Sequence, residues 1–248
     1  MIKNCTCLQI IIEKVYFCRV KIFSNKTEIK MSYTLSSLTK KLIMALAGLF
    51  LMVFLLVHLT INLFMLLPDN GELFKSAVHF MTTNPLIKIF EIVLFSGFIL
   101  HMFVGVILFI KNLVSRPVRY YKSNKSETSF FSKYMFYTGA VVFIFLLIHF
   151  MNFYFVKLGW VSPPSGIEVH DFYSMAIVLF SNKIYSVVYI ILIVLLGFHL
   201  NHALQSGIQT IGFNHNRYTV CVKRFSTFYA LIIALGFCAI PVYFLFIH

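Results

Sequence analysis

The chain has 248 residues, 60% of them hydrophobic and only 12% charged, with a mean hydropathy of +0.87. Soluble domains carry about 25% charged residues, so this composition excludes a water-soluble enzyme and indicates a polytopic membrane protein. The net charge of +13 lies in the N-terminal segment and between apolar runs, which is the pattern of a topology signal facing anionic lipid and not of nucleic-acid binding.

Residues 1–31 mix lysine, cysteine and isoleucine without a clear period. They read as a poorly specified extension or a mis-assigned start, with MSYTLSSLTKK from Met31 as the sensible beginning and 32–248 as the membrane domain. No signal-peptide cleavage site is evident. Cys5, Cys7 and Cys18 fall here, Cys221 and Cys238 come late, and the five form neither a disulfide framework nor a complete metal motif.

Five apolar runs follow, predicting an all-α transmembrane helix bundle. The first spans about 42–67, with Ser36, Ser37 and Thr39 available to cap its start and Pro68, Asp69, Asn70 and Gly71 to end it. The second, about 86–110, opens on Asn84 and Pro85, since proline suits the first helical turn. The third covers about 134–156. The fourth, about 185–211, begins after Ser181, Asn182 and Lys183 and has Gly212 as its stop. The fifth, about 226–247, contains Pro241, expected to kink or loosen its last turns. All are near or above the roughly 20 residues a crossing needs. Their length and lack of alternation exclude a β-barrel.

Charge orients the runs. The 111–133 connection carries Lys111, Arg116, Arg119, Lys122, Lys125 and Lys133 against Glu127, and 212–225 carries Arg217, Lys223 and Arg224 with no acid. The connections 68–85 and 157–184 are nearly neutral. The positive-inside rule then places the N-terminus in the cytoplasm and the C-terminus outside.

Four runs hold internal histidines: His58 in LFLMVFLLVHLTINLFMLL, His101 in FILHMFVGVIL, His149 in FLLIHFMNFYF, and His199 with His202 in LLGFHLNHALQS. At 1.5 Å per residue, His58 and His149 lie about 14 and 12 Å from the outer surface, and His101 and His199 about 24 and 22 Å. The four form two levels, roughly 10 Å apart before tilt. A buried imidazole needs partners on both nitrogens, and few polar residues are near, mainly Thr60, Asn62, Ser96 and Asn152. A haem between two facing histidines at each level answers this need. Gly48, Gly97, Gly105, Gly139 and Gly197 give room for a macrocycle or a close neighbouring helix. Structural or proton-handling histidines, or a copper or zinc site, are the other readings. His202, three residues past His199, is an alternative deeper ligand or a contact for a propionate or quinone. His79, His170, His215 and His248 lie between runs or at the end. Arg217 and Lys223 are candidates to neutralise propionates.

The stretches SSLTKKLIMALAGLFLMVFLLVHLTINL, HFMTTNPLIK, FILHMFVGVILFIKNLVSRPVRY and GFHLNHALQSGIQTIGFNH resemble the membrane cytochrome b subunit of succinate dehydrogenases and fumarate reductases. The likeness is to the single-chain, two-haem type of menaquinone-linked bacteria and covers about 32–248. It implies five helices in a bacterial cytoplasmic membrane, two b haems, and axial ligands His58 with His149 (outer) and His101 with His199 (inner). It also implies cytoplasmic partners, a flavoprotein with FAD and an iron–sulfur protein. Succinate would be oxidised in the partners and electrons passed through this chain to quinone, menaquinone by the same likeness; fumarate reduction is the reverse direction. The chain itself has no Rossmann glycine pattern and no ferredoxin-like cysteine run. Quinone candidates are Ser36, Ser37, Lys40, Gln205 and Gln209 on the inner side and Asn62, His79, Thr82 and Asn152 on the outer, the outer side being favoured by the resemblance. The first thirty residues depart from the family pattern. A structural anchor with reduced haem content and a proton-coupled transporter are the competing functions.

Overall fold

The computed structural model describes residues 36–114, 134–164, 166–213 and 215–247. The expectation for residues 1–31, the charges of 116–133 and His248 lie outside the described residues. The chain divides into two compact units, 1–40 and 41–248; of the first, residues 36–40 are described. There the Ser36 hydroxyl accepts from the Thr39 backbone N–H at 3.1 Å, the expected cap.

Among the described residues there are seven helices and no strand. They are α1 (Ser37–Leu63, with a 3-10 turn Phe64–Leu66), α2 (Glu72–Thr83), α3 (Pro85–Val114), α4 (Met135–Lys157), α5 (Phe172–Phe180), α6 (Lys183–Thr210) and α7 (Asn216–Ile247). Five of them, α1, α3, α4, α6 and α7, are long and apolar enough to cross a membrane. The sequence signals act where expected. Asn84 accepts from the Leu86 N–H in front of α3, Asn182 caps α6 through the Ile184 and Tyr185 N–H groups, and Gly212 follows α6 with φ +115°.

Two features differ from expectation. The fifth helix starts at Asn216, ten residues before the expected 226, so Arg217, Lys223 and Arg224 are helical and not in a loop. Residues 216–225 contain neither glycine nor proline, so nothing stops the helix from continuing past the apolar zone. At 32 residues it is about 48 Å long, well over the ~30 Å hydrocarbon core. It continues through Pro241 to Ile247, the end expected from sequence. Finally, the two connections read as loops each contain a short helix, α2 and α5. Each buries part of its surface against the bundle: α2 buries Phe74, and α5 buries Met175, Ala176 and Phe180.

These two helices form a cap at one end of the bundle. Asp171 starts α5, accepting from the Ser174 N–H at 3.1 Å and the Ser174 hydroxyl at 2.6 Å. Lys75 of α2 reaches the same carboxylate at 3.8 Å. Partial burial opposes ionisation of Asp171, but the Ser174 hydrogen bonds and Lys75 outweigh it and hold the carboxyl below its ordinary range. Tyr173 lies over Gly71, whose φ is +78°, and stands edge-on to the buried Phe244 of α7. A side chain at position 71 would meet the Tyr173 ring at 2.5–2.7 Å. Gly71→Ala is therefore expected to cost about 1–2 kcal/mol from the left-handed backbone alone, and more from the clash, read as a lower thermal midpoint of the detergent-solubilised protein.

The tightest backbone packing is α6 against α7, followed by α4 against α6. Gly197 makes the first possible: a Cβ there would lie 3.0 Å from the Ala234 methyl. Small residues at such crossings let apolar helices approach without a hydrophobic driving force. Ile193, Leu200, Leu204, Tyr229, Ile233 and Ile240 fill the seam. Ile89, Ile92, Ile99 and Phe103 of α3 are instead exposed, as side chains facing acyl chains should be.

Candidate functional site

Four helices form a ring, α1–α3–α4–α6 and back to α1, with α7 packed outside α1 and α6. Gly97 and Gly105 of α3 face Phe50 and Met44 of α1. Phe109 of α3 stacks on Phe136 of α4, with ring centres 3.7 Å apart. Phe145 of α4 meets Tyr189 of α6, and Gly207 of α6 lies against Leu49 of α1. The histidines occupy the two diagonals of this ring: His58 and His149 on α1 and α4, His101 and His199 on α3 and α6.

On the first diagonal the rings meet directly. The centres of His58 and His149 are 5.8 Å apart and their planes are nearly perpendicular, at 83°. Phe54 stacks on His58 at 5.4 Å and Phe237 of α7 stands 5.7 Å away. Phe153 lies 5.2 Å from His149. Asn62 donates to the His58 backbone carbonyl at 2.7 Å and stands 3.4 Å from its Nδ1.

On the second diagonal each ring is seated against a neighbouring helix. His101 lies over Gly48, where a Cβ would come within 3.1 Å of Cε1, and its Nδ1 is 3.3 Å from the Met44 carbonyl oxygen. His199 lies over Gly139, where a Cβ would be 3.4 Å from Cε1, and its Nδ1 is 3.2 Å from the Thr138 hydroxyl. Two of the five glycines singled out from sequence thus hold rings and the other three hold helix contacts.

These contacts fix the levels. His58 stands ten residues beyond Gly48 on α1, and His149 ten residues beyond Gly139 on α4. Both helices give a separation of about 15 Å, larger than the roughly 10 Å expected from counting to the helix ends.

Directly after His149 the helix widens into a π-turn, Phe150–Tyr154. Such turns add a residue to the ladder and are frequent at functional sites. Here the turn carries Asn152, whose amide donates to the hydroxyls of Tyr185 and of Tyr189 on α6, the second at 3.2 Å. It also carries Phe150 and Tyr154, which pack on Phe95 of α3. Asn152 borders a small cavity of about 240 Å³ with Pro163, Pro164, Met175 and Leu179.

The remaining sequence candidates are distributed as follows. His202 is partly buried one turn from His199 and makes no hydrogen bond among the described residues. Gln205 donates to Asn201 at 2.8 Å, and Gln209 is partly buried. His79 is exposed on α2, and Thr82 donates to the Val78 and His79 carbonyls. Thr60 and Ser96 bond back to their own helices. The Ser37 side chain lies outside the described residues. Arg217 is exposed in the first turn of α7, and Lys223 lies with Arg224, Thr227, Phe228 and Leu231 along a shallow groove on the exposed side of α7.

Sequence reading missed an ion pair. Lys157 reaches both carboxylate oxygens of Glu91 at 3.0 Å, joining α3 to α4, and sits 5.4 Å from the centre of the Tyr154 ring. The signal was present: among the described residues, Glu91 is the one acidic residue within a span, where an ionisable group calls for a partner. Thr138 and Tyr189 were also missed, and neither stands out in sequence from ordinary helix residues.

Among the described residues, no three His, Cys, Asp or Glu side chains converge on a point that would hold a metal ion. Comparison with protein-family models, curated proteins and solved structures finds no match to this chain.

Proposed function

We propose that this chain is the membrane-anchoring, electron-carrying subunit of a succinate:quinone oxidoreductase, holding two b haems between its histidine pairs. The observation that carries the reading is the placement of four histidines on crossed diagonals of one helix ring, at two levels. Two imidazoles bound to one ion through bonds of about 2 Å put their ring centres roughly 6 Å apart, and His58 and His149 stand at 5.8 Å. A pair supplies only two ligands, which suits a planar chelating ring that supplies the others, as in b-type cytochromes.

Bound haem supplies a reversible one-electron centre; the chain's own residues do the rest. His58 and His149 would hold the outer group, with Phe54, Phe153 and Phe237 walling it from water. His101 and His199 would hold the inner one, on the seats made by Gly48 and Gly139. Lys111, Arg217, Lys223 and Arg224 make one end of the bundle basic. That end suits a cytoplasmic docking face for an iron–sulfur protein and its FAD-bearing flavoprotein partner, with the N-terminus inside and the C-terminus outside a bacterial cytoplasmic membrane. Menaquinone reduction, or menaquinol oxidation with fumarate as acceptor, would take place on the outer side. Asn152, beside the cavity near His149, is the outer candidate the geometry favours.

The test is the haem-to-protein ratio of the purified protein, with copurifying subunits identified. Two b haems per chain together with a flavoprotein and an iron–sulfur protein are expected; a colourless preparation overturns the reading. His199→Ala is expected to halve the haem content, while His202→Ala leaves it unchanged, because His202 lacks the glycine seat and fixed partner of His199.

A further inference from the structure

We propose that Thr138 fixes the tautomer of His199, as the Met44 carbonyl fixes that of His101, so that both present an unprotonated Nε2 to the α3–α6 diagonal. This rests on the two-haem function proposed above and adds a positioning residue to it.

A neutral imidazole carries its one proton on either nitrogen, and the hydrogen bond at one nitrogen decides the state of the other. At His101 the choice is forced. A carbonyl oxygen only accepts, so the 3.3 Å contact with Met44 places the proton on Nδ1. At His199 the neighbour is a hydroxyl, which has one proton to give. Thr138 donates that proton to the Met135 carbonyl at 2.9 Å, the back-bonding that helical threonines favour. Its oxygen then offers His199 only lone pairs, and the ring donates through Nδ1 at 3.2 Å.

The two rings thus receive the same treatment from unrelated chemical groups on different helices. Each has a glycine beneath it and an acceptor on Nδ1. Ligand imidazoles use the second N–H in this way: it fixes ring orientation and raises the basicity of the coordinating nitrogen, and loss of the partner typically costs 10–100-fold in affinity. His58 is built differently: the Asn62 amide nitrogen, 3.4 Å from its Nδ1, donates to the His58 backbone carbonyl, and no acceptor oxygen holds that ring nitrogen among the described residues. Removing the Thr138 oxygen should therefore alter the inner group alone.

The experiment compares Thr138→Val, which keeps the shape and loses the oxygen, with Thr138→Ser, which keeps the hydroxyl, in the intact complex. Both haems are titrated potentiometrically and followed by the low-spin ferric resonance spectrum. A less basic His199 stabilises the ferric state less, so T138V is expected to raise the inner potential. A tenfold change in ferric-over-ferrous preference corresponds to about 59 mV for one electron. The outer potential should stay fixed and T138S should match the wild type. If T138V does not assemble, Thr138→Ala removes the same acceptor without the branched side chain and carries the same expectation. An unchanged inner potential in the variant that assembles, or a T138S protein that behaves like T138V, overturns the proposal while leaving two haems in place. A wild-type complex without haem overturns the function and this inference together.

Discussion

His149→Ala should remove one b haem of two from the purified protein and leave the other spectrally intact. The two diagonals are separate structures. His149 meets His58, Phe145, Phe150 and Phe153, whereas the second pair is seated on Gly48, Met44, Thr138 and Gly139 about 15 Å away along the helix axes. His58→Ala should give the same half-loss. The double variant His58→Ala/His149→Ala should do no worse than either single one, since residues acting as one unit are not additive. Reduced-minus-oxidised spectra scaled to protein read all three. Loss of both haems from either single variant would mean that the diagonals are not independent.

The second large effect is expected at Glu91. Removing one partner of a buried ion pair costs about 3–5 kcal/mol, because the other charge is left uncompensated. Here each side chain keeps 26% exposure, so Glu91→Gln is expected to cost nearer to about 2 kcal/mol, and Lys157→Met a similar amount. The double variant should recover part of the loss, with a coupling of about 1–2 kcal/mol. Thermal unfolding of the four proteins in one detergent measures the cycle. Strict additivity would show that Glu91 and Lys157 do not sense each other. Because the pair and the Phe95–Tyr154 contact clasp α3 to the π-turn below Lys157, weakening it should also loosen the seat of His149.

The spans were legible because length and hydropathy alone decide which segments cross a bilayer, and because Asn84, Asn182 and Gly212 act through local hydrogen bonds and backbone geometry. The start of α7 was not, since Arg217 through Arg224 look like a loop when charge is used as a boundary, yet charged residues are good helix formers once outside lipid. The short helices of the cap hid for the opposite reason: Phe74 and Met175 bury one face only, against partners distant in sequence. The histidine levels were visible from spacing. The diagonals were not, because which helices neighbour one another is set by glycine-to-side-chain fits such as Gly48 on His101 and Gly139 on His199. The π-turn after His149 left no mark in composition.

The 15 Å step between the levels has an electrical consequence. Carrying one elementary charge across a whole membrane at 100 mV involves about 2.3 kcal/mol, and the step covers about half of a ~30 Å hydrocarbon core. Under the proposed function, each electron passing between the pairs therefore traverses about half the field, close to 1 kcal/mol at 100 mV. The balance between the two directions of turnover then depends on how strongly the membrane is energised, and de-energising vesicles with an ionophore should shift it.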